Sequence, residues 1–127
     1  MNLEKVVFGF FITLAAALNF GFFVGEIDNP TVHNGVELAA ALVASLVATV
    51  LKFGDRTHIG ATHLATSLVA TLQLLSAAFV WMWQLNINHL PMNIETMSTI
   101  VSLSAGALVA NLISVVLLVS ETLRQTR

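Results

Sequence analysis

The stretch His58–Trp83, HIGATHLATSLVATLQLLSAAFVWMW, decides the fold. It carries no Asp, Glu, Lys or Arg and is longer than the ~20 residues an α-helix needs to cross a bilayer. It also carries Thr62, His63, Thr66, Ser67, Thr71, Gln73 and Ser76 where a lipid-facing helix would carry Leu and Val. Polar groups at membrane depth need partners, so this span must hide that surface against other helices or around water.

The rest of the chain is of the same kind. Of its 127 residues 57% are apolar and 9% charged, with a mean hydropathy of +0.87; soluble domains carry about 25% charged residues. The composition is that of an integral membrane protein in one domain, residues 1–127. The absence of Cys excludes disulfides, thiolate metal sites and cysteine nucleophiles. A net charge of −2 without a basic block argues against nucleic acid as a partner. Lys5 followed by an apolar run through Ala15-Ala16-Ala17 resembles a cleaved signal peptide, but the run continues to Val24, and it is read as a retained first span.

Four spans are expected, at Val6–Gly25, Val36–Phe53, Ile59–Trp83 and Ile94–Ser120. Glu37 and Lys52 flank the second, close enough to its ends to reach water. All five basic residues, Lys5, Lys52, Arg56, Arg124 and Arg127, fall in the N-terminal tail, the second loop or the C-terminal tail. The first and third loops carry Glu26, Asp28 and Glu95 instead. By the positive-inside rule both termini are expected in the cytoplasm, with Trp81 and Trp83 anchoring the third span at the outer interface. The connectors read as turns: Asp28-Asn29-Pro30, a capping box of Asn34 and Glu37, a hairpin at Phe53–Thr57 with Gly54 ending one helix and Asp55 or Thr57 capping the next, and a break at Leu90–Asn93. The echo between LVASLVATV at Leu42–Val50 and LATSLVATL at Leu64–Leu72 follows from the narrow alphabet.

Small residues recur every fourth position in the first span (Gly9, Thr13, Ala17, Gly21, Gly25) and in the fourth (Ser98, Ser102, Gly106, Ala110, Ser114). Such ladders let helix backbones approach closely. The first is assigned to packing within an antiparallel four-helix bundle. The second is open to a neighbouring protomer, which makes a homo-oligomer the expected state.

No charged residue lies mid-span, so neither an acidic coupling site nor an Arg-rich voltage sensor is expected. G-x-S-x-G and H-E-x-x-H are absent, no residue set has metal-ligand spacing, and neither catalysis, a cofactor nor a metal is expected. On a helical wheel His58, Thr62, Thr66, Gln73 and Ser76 share an arc of about 80°, with His63, Ser67 and Thr71 in a row beside it. Ser and Thr can return their hydroxyls to the carbonyl four residues back; Gln73 needs a neighbour, for which Asn19 and Asn111 are the candidates. His33 and His89 read as solvated loop residues, whereas His63 lies a turn or more inside the membrane.

The opening MNLEKVVFGFFITLAAALNFGFFVGEIDNP, the central VATVLKFGDRTHIGA and the following ATSLVATLQL resemble a small family of bacterial inner-membrane proteins of unknown function. The resemblance weakens after Trp83. It implies an acidic residue often standing where this chain has Thr71, which counts against an ion-selective role for this member. It carries expectations about fold and inner-membrane location only.

The resulting expectation is an all-α homo-oligomer that acts as an ion channel or channel-like transport protein, its pore on a symmetry axis. The third span would line it through His58, Thr62, His63, Thr66, Thr71, Gln73 and Ser76. Lys52 and Arg56 would form the cytoplasmic mouth, and Glu26, Asp28, Glu37 and Glu95 an outer vestibule favouring cations. The alternative is a non-conducting accessory or scaffold subunit of a larger membrane complex.

Overall fold

The computed structural model describes residues 3–24, 33–55 and 57–125. It contains the helices α1 (Leu3–Phe23), α2 (Gly35–Lys52), α3 (His58–Met82) and α4 (Ile94–Gln125). All four are long and apolar enough to cross a membrane. Large apolar side chains such as Phe10, Val43, Leu72 and Val116 are exposed along them, as lipid contact requires. Glu26, Asp28, Arg56, Arg127 and the turn at Pro30 lie outside the described residues.

The helix ends follow from local chemistry. Asn34 accepts the Val36 N–H at 2.8 Å and so caps α2. Its expected capping-box partner, Glu37, instead lays its carboxylate over Gly21 of α1. Gly54 takes a φ of 89° just after α2, a left-handed turn that glycine adopts without strain. Thr57 then caps α3 by accepting the Gly60 N–H at 3.0 Å. At its far end α3 widens into a π-helical turn, Trp83–Ile87, which aims Gln84 inward so that its Nε2–H donates to the Pro91 carbonyl at 2.9 Å. Asn93 accepts the Thr96 N–H at 2.7 Å to start α4. That helix runs past the expected end at Ser120, tied to α1 by a 2.6 Å ion pair between Lys5 and Glu121.

The helices form a ring in which α1 packs on α2, α2 on α3, α3 on α4 and α4 on α1. Cross-links fix the antiparallel sense: Lys5–Glu121 joins α1 to α4, Thr49–Thr71 joins α2 to α3, and His63–Ser114 joins α3 to α4. One end of the bundle thus carries Lys5 and Lys52, and the other Trp81 and Trp83; these are the lysine end and the tryptophan end below. Toward the tryptophan end the core is apolar, built from Phe22, Leu38, Leu74, Met97, Ile100 and Val101 with alanines between them. A smaller apolar cluster of Phe8, Ile12 and Ala48 lies near the lysine end. His33, expected in solvent, is buried; it stacks on Phe22 and its Nδ1–H donates to the Phe22 carbonyl at 2.6 Å.

Each small-residue ladder divides between faces: Gly9 and Gly21 of α1 pack within the bundle as expected, against Leu118 and Glu37. Thr13 and Ala17 of α1 face outward, whereas Gly106, Ala110 and Ser114 of α4 lie against α3 or inside the bundle. A step of four residues turns about 40° around a helix axis, so a long ladder spirals from one face to another. Ser98 and Ser102, two and one steps earlier, are accordingly half-buried and exposed. Gly9 abuts Leu118, where an added Cβ would lie 3.2 Å from its Cδ2. At Gly106 a Cβ would meet the carboxamide of Gln73.

Gly106→Leu is therefore expected to destabilise the bundle by about 1–3 kcal/mol through overpacking at the α3–α4 contact. Ala17→Leu on the outward face should change stability by less than about 0.5 kcal/mol. Reversible unfolding in mixed micelles measures both, and equal costs would contradict the assignment of faces.

Candidate functional site

The lysine end opens into a cleft of about 570 Å³ lined by Glu4, Lys5, Lys52, Asp55, Thr57 and Glu121 among others. Four of its charges form two pairs: Lys5 with Glu121 at 2.6 Å and Lys52 with Asp55 at 3.5 Å. The Thr57 hydroxyl and then the Thr57 N–H donate to the Asp55 carboxylate, at 2.7 and 3.0 Å. These bonds, with help from the Lys52 charge and against a smaller desolvation cost, hold the Asp55 carboxyl below its ordinary pKa.

Lys52 was expected to reach water, yet only 9% of it is exposed. Its ammonium stands 4.3 Å from the Phe8 ring centroid, a cation–π contact that offsets part of its desolvation. Phe8 in turn meets His63 edge-on, with ring centroids 4.8 Å apart. A charged cleft, a lysine, an aromatic ring and a buried histidine thus lie in sequence from the surface inward.

Beyond His63 the core is polar, and every helix contributes. Asn19, Ser45, Thr49, His63, Ser67, Thr71, Ser104, Asn111 and Ser114 are all buried. His63 Nδ1 lies 3.0 Å from the Ser114 hydroxyl, which lies 2.7 Å from that of Thr66. Thr66 also reaches the Thr62 and His63 carbonyls at 3.1 Å. A hydroxyl has one proton to give, so this chain has two self-consistent directions. Either His63 donates to Ser114, Ser114 to Thr66 and Thr66 to a carbonyl, or Thr66 donates to Ser114 and Ser114 to an unprotonated Nδ1. Deeper in, Thr49 donates to the Ser45 carbonyl at 2.8 Å, so Thr71 supplies the proton of the 3.1 Å Thr49–Thr71 contact. The Ser104 hydroxyl donates to Asn19 Oδ1.

Other atoms of this core have no hydrogen-bond partner among the described residues: Asn19 Nδ2, Ser45 Oγ, His63 Nε2, Ser67 Oγ, and both Nδ2 and Oδ1 of Asn111. A buried polar group left so costs about 1–3 kcal/mol. Because α3 and α4 are antiparallel and His63 meets Ser114, one turn inward on each brings Ser67 and Asn111 to a common depth.

The expected pore wall is divided by this arrangement. His63 and Thr71 point into the bundle and cannot line an axis between protomers. His58 and Ser76 lie on the outer surface, with Thr62 and Ser76 returning their hydroxyls to the His58 and Leu72 carbonyls. Thr66 and Gln73 turn to α4, where their partners are Ser114 and Gly106; Asn19 and Asn111 are not the partners of Gln73. Of the expected vestibule, Glu95 is exposed at the start of α4 and Glu37 half-buried against Gly21. The residues missing from the expected site are Ser45, Ser104, Thr49, Glu121 and Phe8; Ser45 and Thr49 read from the sequence only as small residues beside the alanines of the second span. The signal for Ser45 and Ser104 was their alignment with buried alanines, Ser45 with Ala41 and Ala48, and Ser104 with Ala107.

A family model of unknown function matches residues 32–122. The chain belongs to that family, DUF6394. The matched range holds α2, α3 and nearly all of α4, and with them every residue of the polar core except Asn19. It continues well past Trp83 and begins after α1, so the fourth span belongs to the family match and the first lies outside it. No curated protein and no solved structure matches the chain.

The lowered pKa of Asp55 sets a pH dependence. Its contribution to stability is complete above the unfolded carboxylate pKa, about 4, and is lost as pH falls through the lower folded value. Acid titration of unfolding should therefore show a loss below about pH 4 that Thr57→Ala reduces, because that change removes the hydroxyl bond. An unaltered acid limb in Thr57→Ala would exclude Asp55 as its source.

Proposed function

We propose that the protein is a channel-like transport protein of the bacterial inner membrane, in which protons move along the polar interior of the bundle. The observation that carries this reading is the buried polar core, drawn from all four helices and beginning directly behind the cleft of the lysine end. Polar residues are costly at membrane depth, and where they occur they mark pathways more often than in water-soluble cores. The basic residues orient the lysine end toward the cytoplasm.

Protons suit this interior better than metal cations. Among the described residues the core holds no carboxylate to compensate a dehydrated metal cation. Imidazole and hydroxyl groups can both accept and donate a proton, and the His63–Ser114–Thr66 chain can reverse its direction without moving a heavy atom. The apolar cluster at the tryptophan end, with Phe22, Leu74 and Met97, is the barrier that has to open or hydrate for passage. The route lies within each protomer. A homo-oligomer, held through the outward α1 face, is compatible with it but does not form the path. That same face, with Thr13 and Ala17 exposed beside Gly9, Phe10 and Leu14, supports the second reading, a non-conducting accessory subunit that packs on a larger complex.

Proteoliposomes with an internal pH dye and a potassium diffusion potential separate the two. Proton uptake is expected for the wild type, reduced ~10-fold or more in His63→Ala, which removes the relay group. A wild type that passes no protons at any pH or voltage would leave the accessory reading in place.

A further inference from the structure

The side chains with unanswered atoms define a ligand by their chemistry. Asn19 Nδ2 and Asn111 Nδ2 can only donate, Asn111 Oδ1 can only accept, the Ser45 and Ser67 hydroxyls can do both, and His63 Nε2 takes either role with its tautomer. A metal cation would face the amide N–H groups with the wrong sign, and an anion would face Asn111 Oδ1 with the wrong sign. Water donates and accepts, and a buried water typically makes about three hydrogen bonds to such groups.

We propose that Asn19, Ser45, His63, Ser67 and Asn111 bind buried water along the interior of the bundle, with Ser67 and Asn111 at one depth, and that this water enters from the lysine end alone. It rests on the polar core invoked for the proton route and names what fills that route, while not requiring that protons cross. All five side chains are at most 1% exposed, and they come from all four helices. Asn111 has both ends of its carboxamide unanswered, and Ser67 lies at its depth on α3. The buried positions a turn away on the same helices are small, Ala15 before Asn19, Ala48 after Ser45, Ala70 after Ser67 and Ala107 before Asn111. Access is one-sided. At the lysine end Phe8 lies between Lys52, which lines the cleft, and His63. At the tryptophan end Phe22, Leu38, Leu74, Met97 and Ile100 close the core with apolar side chains.

Water-edited solid-state NMR of the full chain in lipid bilayers tests the site directly. Rapid magnetisation transfer from water is expected at the side-chain amides of Asn19 and Asn111 and at the His63 ring, and slow transfer at the Leu74 methyls. Asn111 and His63 signals as slow as Leu74 would overturn the proposal. Because the chain has no Cys, a Ser67→Cys variant gives an independent measure of sidedness. Its thiol should react with a small impermeant reagent from the lysine side only, and faster when Phe8→Ala is added; reaction from the tryptophan side alone would overturn the one-sided entry. Proton flux in the same liposomes keeps the two ideas apart. Fast water transfer without flux retains the site and removes the route, whereas flux with a slow Asn111 signal removes the site.

Discussion

A helix surrounded by lipid gains nothing by hiding an apolar side chain from apolar surroundings, and the architecture of this bundle depends on that constraint. What holds the helices together has to be close packing and polar contact. Both are concentrated where α3 meets α4, the most extensive contact of the ring. Gly106 there admits Gln73, and Ser114 receives both His63 and Thr66. Two further interior bonds, between Thr49 and Thr71 and between Ser104 and Asn19, join two of the other three neighbouring pairs, α2–α3 and α4–α1. The polar residues are thus distributed so that successive helix pairs are tied, and each tie fixes a register that apolar contacts alone would leave free to slide.

The same residues exceed what tying the helices requires. Packing is satisfied by a hydroxyl that bonds back to its own helix, as Thr62 and Ser76 do on the outer surface. Asn111 and Ser67 do not bond back, and they face the interior rather than lipid. Substitution by Leu and Ala would serve packing at lower desolvation cost. Polar groups kept in the interior at such a cost are what the proposed function accounts for.

The four spans and most of their caps were legible in the sequence because length, hydropathy and capping chemistry are local properties. Asn34, Gly54, Thr57 and Asn93 each act within a few residues of where they stand. Which face of α3 turns inward was not legible. In water-soluble helices the apolar stripe points to the core, but here lipid and core are equally apolar and the stripe carries little direction. The row His63, Ser67, Thr71 and the arc Thr62, Thr66, Gln73 looked equivalent for that reason, and only the neighbours decide between them. The small-residue ladders misled for a geometric reason, since a spacing of four drifts around the helix over several turns. Lys52 was misplaced because hydropathy treats a lysine as solvated, while a facing aromatic ring, Phe8, holds it inside.

The placement of Lys52 also explains why the core divides into a polar half and an apolar half. A charge buried above Phe8 and tethered to Asp55 makes the lysine end the polar entrance, and the hairpin between α2 and α3 is built to keep it there. Asp55 is held by Thr57, and Thr57 caps α3, so the start of the third helix and the position of the lysine are set by one hydrogen-bonded turn. From that turn His63 lies less than two turns along α3, directly behind Phe8. At the tryptophan end the corresponding position is held by Phe22, packed between His33 and Trp81. One aromatic ring thus stands near each end of the interior. The first is backed by a charge and a cleft, the second by an indole and a closed apolar cluster, so the two ends of the interior differ in polarity.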